Sequence, residues 1–184
     1  MNRWYERYGA DANDPDGFQH FVSLYEEVYD AVKGISPQTK VFCTFAREIV
    51  SENREADLEV LSMFNPDKVD LLVFTSYPYA VKGINSTSDI PDDYSRALRY
   101  IPNKPMGFSE VGWPSIEFFG GERGQADFIQ EVAGRLTRGQ GIRLELLGWA
   151  WLHDLDGNDC VGLIRRDGTE KLAYRAWKSL SRSG

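Results

Sequence analysis

Pro105-Met106-Gly107-Phe108-Ser109-Glu110-Val111-Gly112-Trp113-Pro114-Ser115 runs from an apolar strand into a carboxylate and then into a turn. The spacing predicts a strand over 105–109. Gly112 and Pro114 end it, because glycine weakens both regular structures and proline cannot donate to a ladder. A single glutamate, Glu110, is thereby fixed at a strand mouth with an aromatic ring beside it.

Working outward, the same plan recurs. Val69 to Thr75 is an almost unbroken apolar run, the pattern of a parallel strand covered on both faces. It ends in Ser76-Tyr77-Pro78-Tyr79. Lys40 to Phe45 and Leu144 to Leu152 read as two further strands, the last running into His153-Asp154. Helical spacing fills the intervals. Asp14 is a cap and Pro15 lies in the first turn of a helix carrying Phe18, Phe21, Val22, Tyr25, Val28, Tyr29 and Val32, with Gly34 as its stop. Helices are also predicted over 55–64, 92–100 and 123–138. A final one, over 170–180, carries Leu172, Ala173, Ala176, Trp177 and Leu180.

Strand–helix alternation predicts an α/β fold with parallel strands and right-handed crossovers. An open doubly wound sheet and a section of a (β/α)8 barrel both satisfy it. No Gly-x-Gly-x-x-Gly or P-loop opens any helix, which weakens the nucleotide-binding open sheet. The polar motifs gather at the C-terminal ends of strands, the face on which barrels build active sites. A whole barrel needs about 250 residues, and this chain has 184. Four strands and five helices, beginning with a helix, predict a parallel half-barrel, strands 5–8, as a single partial domain over 1–184 whose N-terminal half is absent.

Composition narrows the function. The chain holds 28 acidic and 21 basic residues, a formal charge of −7, with no basic stripe. That argues against nucleic acid or an anionic membrane as partner. No apolar run approaches the roughly 20 residues that span a bilayer, and Met1-Asn2-Arg3-Trp4 begins no signal peptide. The chain reads as soluble, with no compartment specified. Cys43 and Cys160 form neither a disulfide framework nor a metal spacing, and Cys43 reads as a buried thiol. His20 and His153 lack the paired spacing of a zinc site, so neither metal nor cofactor is expected.

The segment from Pro105 to Ser115 closely resembles the seventh-strand motif of clan A glycoside hydrolases, above all the Ser-Glu-Thr-Gly-Trp-Pro-Ser form of β-1,3-glucanase-like barrels. The stretch from Asp70 to Tyr79 resembles the clan's sixth strand. Gly148-Trp149-Ala150-Trp151-Leu152-His153-Asp154 resembles its eighth, and 162–171 resembles its closing hairpin around an Asp-Gly turn. The resemblance implies a retaining TIM-barrel hydrolase of β-linked oligo- or polysaccharides, similar to β-glucanase and galactanase families, with Glu110 as nucleophile. It further implies that Tyr77 orients Glu110, since a phenol donor holds a carboxylate in one direction for attack. Trp113, Trp149, Trp151 and Tyr79 are implied sugar-binding rings, the eighth-strand tryptophans as platform or as barrel core. His153 and Asp154 either line a sugar subsite or brace a loop.

Retaining hydrolysis needs two carboxyl groups about 5–5.5 Å apart. In the clan the acid is the Glu of an Asn-Glu pair ending the fourth strand, and this chain contains no such dipeptide. Met1-Asn2-Arg3-Trp4-Tyr5 resembles the residues just after that pair, so the general acid is expected in the missing half, and Glu6 is not assigned to the role. Two rivals stand beside this reading. One is a non-catalytic carbohydrate-binding or scaffold half-barrel. The other is a Schiff-base barrel enzyme, weakened because none of Lys33, Lys40, Lys68, Lys82, Lys104, Lys171 and Lys178 sits at a predicted strand C-terminus. Open barrel edges predict self-association of the isolated chain.

Overall fold

Four parallel strands lie side by side in chain order: β1 (Thr44–Ala46), β2 (Leu72–Ser76), β3 (Met106–Val111) and β4 (Leu144–Trp149). The computed structural model describes residues 15–46, 60–138, 141–155 and 160–180. Register runs Phe45 against Phe74, Phe74 against Phe108 and Phe108 against Leu147. A doubly wound sheet would reverse its strand order at a switch point; this one advances monotonically. Helices α1 (Pro15–Ile35), α2 (Gly121–Arg138) and α3 (Leu172–Leu180) accompany it. Phe18 and Val22 of α1, Phe128 and Leu136 of α2 and Trp177 of α3 join one core with Phe45, Leu72, Phe74, Met106 and Phe108. Parallel strands in chain order, with helices on one outer layer, are the plan of a (β/α) barrel. The half-barrel expectation therefore holds.

Helix α1 starts at the proline that the sequence placed in its first turn, while Asp14 lies outside the described residues. Its inward stripe is narrower than the periodicity suggested. Phe18, Val22 and Tyr25 are buried, whereas Val28 is 49% exposed. At 3.6 residues per turn Val28 stands about 80° round the helix from Phe18, at the margin of the apolar face. Asp70 fastens this helix to the sheet: its carboxylate meets the Lys33 ammonium at 2.7 Å and accepts from the Val41 N–H at 2.7 Å and the Tyr29 hydroxyl at 3.2 Å.

Two predicted helices take another form. The stretch over 92–100 is only a 3-10 turn, Arg96–Arg99. It belongs to a series of short turns that includes Pro78–Ala80 and Thr87–Asp89. Pro91 and Pro102 bracket the stretch and leave it at most ten residues, too short for a helix to be stable without tertiary support. Burial of Ile84, Ile90, Tyr94, Ala97 and Ile101 in the core organises these turns instead. The Arg135 guanidinium of α2 also holds them, donating to Ile90 O at 2.7 Å and Thr87 O at 3.2 Å. Of the helix predicted over 55–64, residues 55–59 lie outside the described residues, and Val60–Met63 is a 3-10 turn. Strand β1 pairs over three residues, fewer than the six expected over 40–45. No helix among the described residues is long and apolar enough to cross a membrane.

Candidate active site

Glu110 stands near the C-terminal end of β3, and Tyr77 follows β2 directly. The strands are neighbours, and their pairing shifts register between Phe74 and Thr75, bringing Thr75 rather than Ser76 opposite Glu110. Such an irregularity re-aims side chains at a strand end. Here the Tyr77 hydroxyl donates to Glu110 Oε2 at 2.5 Å. Distances of 2.5–2.7 Å mark the strong O–H···O⁻ class when the acceptor is ionised. The two residues the sequence paired at one strand mouth are thus in direct contact.

The aromatic residues divide. Tyr79 is half-buried and meets Tyr77 edge-on at 6.2 Å between centroids, with Trp113 and Phe119 edge-on beyond it. Trp113 is wholly buried, at 0% exposure. Phe128 of α2 covers its face at 5.1 Å and 17°, and its indole N–H donates to Phe119 O at 3.1 Å. The expectation that Trp113 stacks on sugar is corrected: the ring has no free face and belongs to the layer between sheet and helix. Trp149 is likewise engaged, edge-on to Phe128 and Trp177, with its N–H on Val161 O at 2.9 Å. Of the eighth-strand pair, Trp149 is partly buried and packs against the core. Trp151, past the strand end, is 40% exposed.

His153 is exposed beside it. Asp154, by contrast, forms a buried ion pair with Lys171 at 2.7 Å, the two side chains 10% and 3% exposed. The same ammonium donates to Ser115 Oγ at 2.9 Å and to Cys160 O at 3.2 Å. Of the two readings of Asp154, the geometry is that of a loop brace. It ties together the turn after β3, the segment after β4 and the hairpin before α3. That hairpin forms around Asp167-Gly168 as the sequence proposed, with Arg165 N donating to Thr169 O at 2.9 Å.

Two residues of this framework escaped the sequence reading. Gln125 is fully buried in α2, and its amide nitrogen lies 2.8 Å from Trp113 O, 2.9 Å from Val161 O and 3.3 Å from Gly162 O. A signal existed: Gln125 occupies the same helical stripe as Ile129, Val132 and Leu136, where a polar residue needs a partner. Lys171 enters the sequence reading only as a Schiff-base lysine. Nothing local marks it as buried, since its partners come from residues 11 to 56 positions away.

No protein-family model matches the sequence, and no curated protein matches it. Solved structures do. A GH2 β-galacturonidase from Eisenbergiella tayi superposes with a TM-score of 0.61 at 17% identity, over 89% of this chain and 30% of its own. A glycoside hydrolase family 17 β-1,3-glucanosyltransferase from Rhizomucor miehei gives 0.59 at 18% identity, over 84% of this chain and 56% of its own. Xylanase 10B from Thermotoga maritima gives 0.57 at 13%, over 86% and 51%. The chain spans between 30% and 56% of the length of these proteins. Its four parallel strands and outer helices therefore have the fold of part of a TIM barrel, as these glycan-active proteins do.

Proposed function

We propose that this chain is the nucleophile-bearing part of a retaining glycoside hydrolase that cleaves β-linked glycans. The observation that carries the reading is the contact between Tyr77 and Glu110 across adjacent strand ends on the barrel's catalytic face. In the first step Glu110 attacks the anomeric carbon and forms an ester-like glycosyl bond, while the bond to the leaving oxygen breaks. A general acid supplies the proton that this oxygen takes up. In the second step water attacks the same carbon, loses its proton to that residue, and Glu110 leaves as carboxylate. Tyr77 holds the attacking oxygen in line throughout. Trp151, Tyr79 and His153 are the proposed sugar contacts, and Asp154 supports them through Lys171 rather than touching substrate. Strands β1 and β4 each pair on one side only among the described residues, an arrangement that favours association through their edges.

Activated 2-deoxy-2-fluoro glycosides test the proposal, because their good leaving groups need little help from a general acid. The expected result is a mass increase of one glycosyl unit mapping to Glu110 and absent from Glu110→Gln. A folded chain that binds glycans but acquires no adduct on Glu110 would instead establish a non-catalytic carbohydrate-binding half-barrel.

A further inference from the structure

Gly112, one residue beyond β3, donates its N–H to Ser76 O at 3.1 Å, so the β2–β3 ladder continues past the strand and sets its Cα beside Tyr77. A Cβ built there would fall 2.9 Å from Tyr77 Cε1 and 3.0 Å from Cδ1, and 2.8 Å from Val161 Cγ1 on another side. Carbon atoms in contact prefer about 3.5–4.0 Å. Gly112 is not among the glycines with positive φ, so its backbone would admit other residues. Space excludes them.

We propose that Gly112 is a positioning residue: its bare Cα is the seat that lets the Tyr77 ring lie close enough for its hydroxyl to reach Glu110. This rests on Glu110 as the nucleophile and adds the feature that sets its orienting partner. Of the two neighbours a methyl group would press on, Val161 has little room to retreat. It is 4% exposed, and its carbonyl is held by both the Gln125 amide and the Trp149 indole, each at 2.9 Å. Tyr77 is half-buried, in the loop after β2. The phenol therefore gives way, and a 2.5 Å bond does not survive a ring shift of several tenths of an ångström or more in its present form.

The experiment compares crystal structures and Glu110 labelling rates of wild type, Gly112→Ala, Tyr77→Phe and the double variant G112A/Y77F. Gly112→Ala/Val161→Ala is added because it removes the second clash and so protects the fold. In both glycine variants the Tyr77–Glu110 separation is expected to exceed about 3.2 Å, outside ordinary hydrogen-bond range. Labelling by the 2-fluoro glycoside is expected to fall about ten- to hundredfold in Gly112→Ala, as in Tyr77→Phe. G112A/Y77F should be no slower than Tyr77→Phe alone, since one interaction cannot be lost twice. A separation still near 2.5 Å in either glycine variant, or losses that multiply in the double variant, would overturn the proposal. If wild type fails to label, the hydrolase reading falls, while the two crystallographic separations still decide whether Gly112 seats Tyr77.

Discussion

Lys171→Met removes an ammonium from the centre of the loop framework while keeping a chain of similar length. The Asp154 carboxylate, 10% exposed, would then sit with its partner gone. Ser115 Oγ and Cys160 O would each lose a donor as well. Breaking one side of a buried pair costs about 3–5 kcal/mol, because the surviving charge remains desolvated. Against a domain stability of about 5–15 kcal/mol this is a large fraction. With a urea m-value of about 2 kcal/mol/M, the unfolding midpoint should drop by about 2 M. Equilibrium urea unfolding of wild type, Lys171→Met, Asp154→Asn and K171M/D154N gives the full cycle. The double variant leaves no orphaned charge, so it should be more stable than Lys171→Met and show a coupling of at least about 2 kcal/mol. A Lys171→Met cost below about 1 kcal/mol, or strict additivity, would refute the view that this pair braces the loops.

At Asp70, burial raises the carboxyl pKa, but the Lys33 ammonium and the Val41 and Tyr29 donors outweigh it and hold the group below its ordinary value. Its contribution is thus present above about pH 4 and lost as pH falls through the folded pKa; Asp70→Asn should cost about 1–3 kcal/mol at pH 7 and flatten the acid limb seen by circular dichroism. Burial pushes the Cys43 thiol up to about 11, so between about pH 9 and 11 the unfolded chain releases a proton that the folded chain keeps. Stability should fall with rising pH there by up to about 1.4 kcal/mol per unit. Cys43→Ala should reduce that slope by one proton, with a remainder from Tyr25, whose phenol burial also raises; an unchanged slope in urea titrations across this window would contradict the assignment. Gly148→Ala would place its Cβ 2.4 Å from Ser109 O, a backbone atom that cannot rotate away. It should cost about 1–3 kcal/mol and lower the melting temperature by several degrees, and an unshifted melt would show that β3 and β4 can separate freely.

What the sequence revealed tracks how local each cause is. Continuous apolar runs disclosed β2 and β3 because both faces of a parallel strand are covered, and the position of Glu110 followed from the turn that stops β3. The stretch over 92–100 misled because alternating apolar residues suit a helix or a series of 3-10 turns equally well. Tertiary contacts with Arg135 and the core decide between them. Trp113 misled for a different reason. Its neighbourhood to Glu110 in sequence suggested a sugar platform, but the turn at Gly112 directs its indole onto Phe128, fifteen residues away. Lys171 and Asp154 were legible as residue types and not as a pair, since only the closing hairpin brings them together.

The buried struts behind the site answer to the loops they support. Trp113, Cys160, Val161 and Gly162 all turn carbonyl oxygens toward the space between α2 and the segment after β4. Each such acceptor left without a donor would cost about 1–3 kcal/mol. Apolar packing cannot meet that need, so three side chains supply donors: the Gln125 amide of α2, the Trp149 indole of β4 and the Lys171 ammonium just before α3. Four carbonyls converging on one end of Gln125 also dictate which way its amide points. Val161 is held by Gln125 and Trp149 together, and it is the residue that backs Gly112. The geometry at Glu110 therefore depends on side chains that never approach it. Donors from α2 and β4 fix Val161, and Val161 with Tyr77 leaves Gly112 no room for a side chain. The Tyr77 ring then lies against bare backbone, with its hydroxyl on the carboxylate.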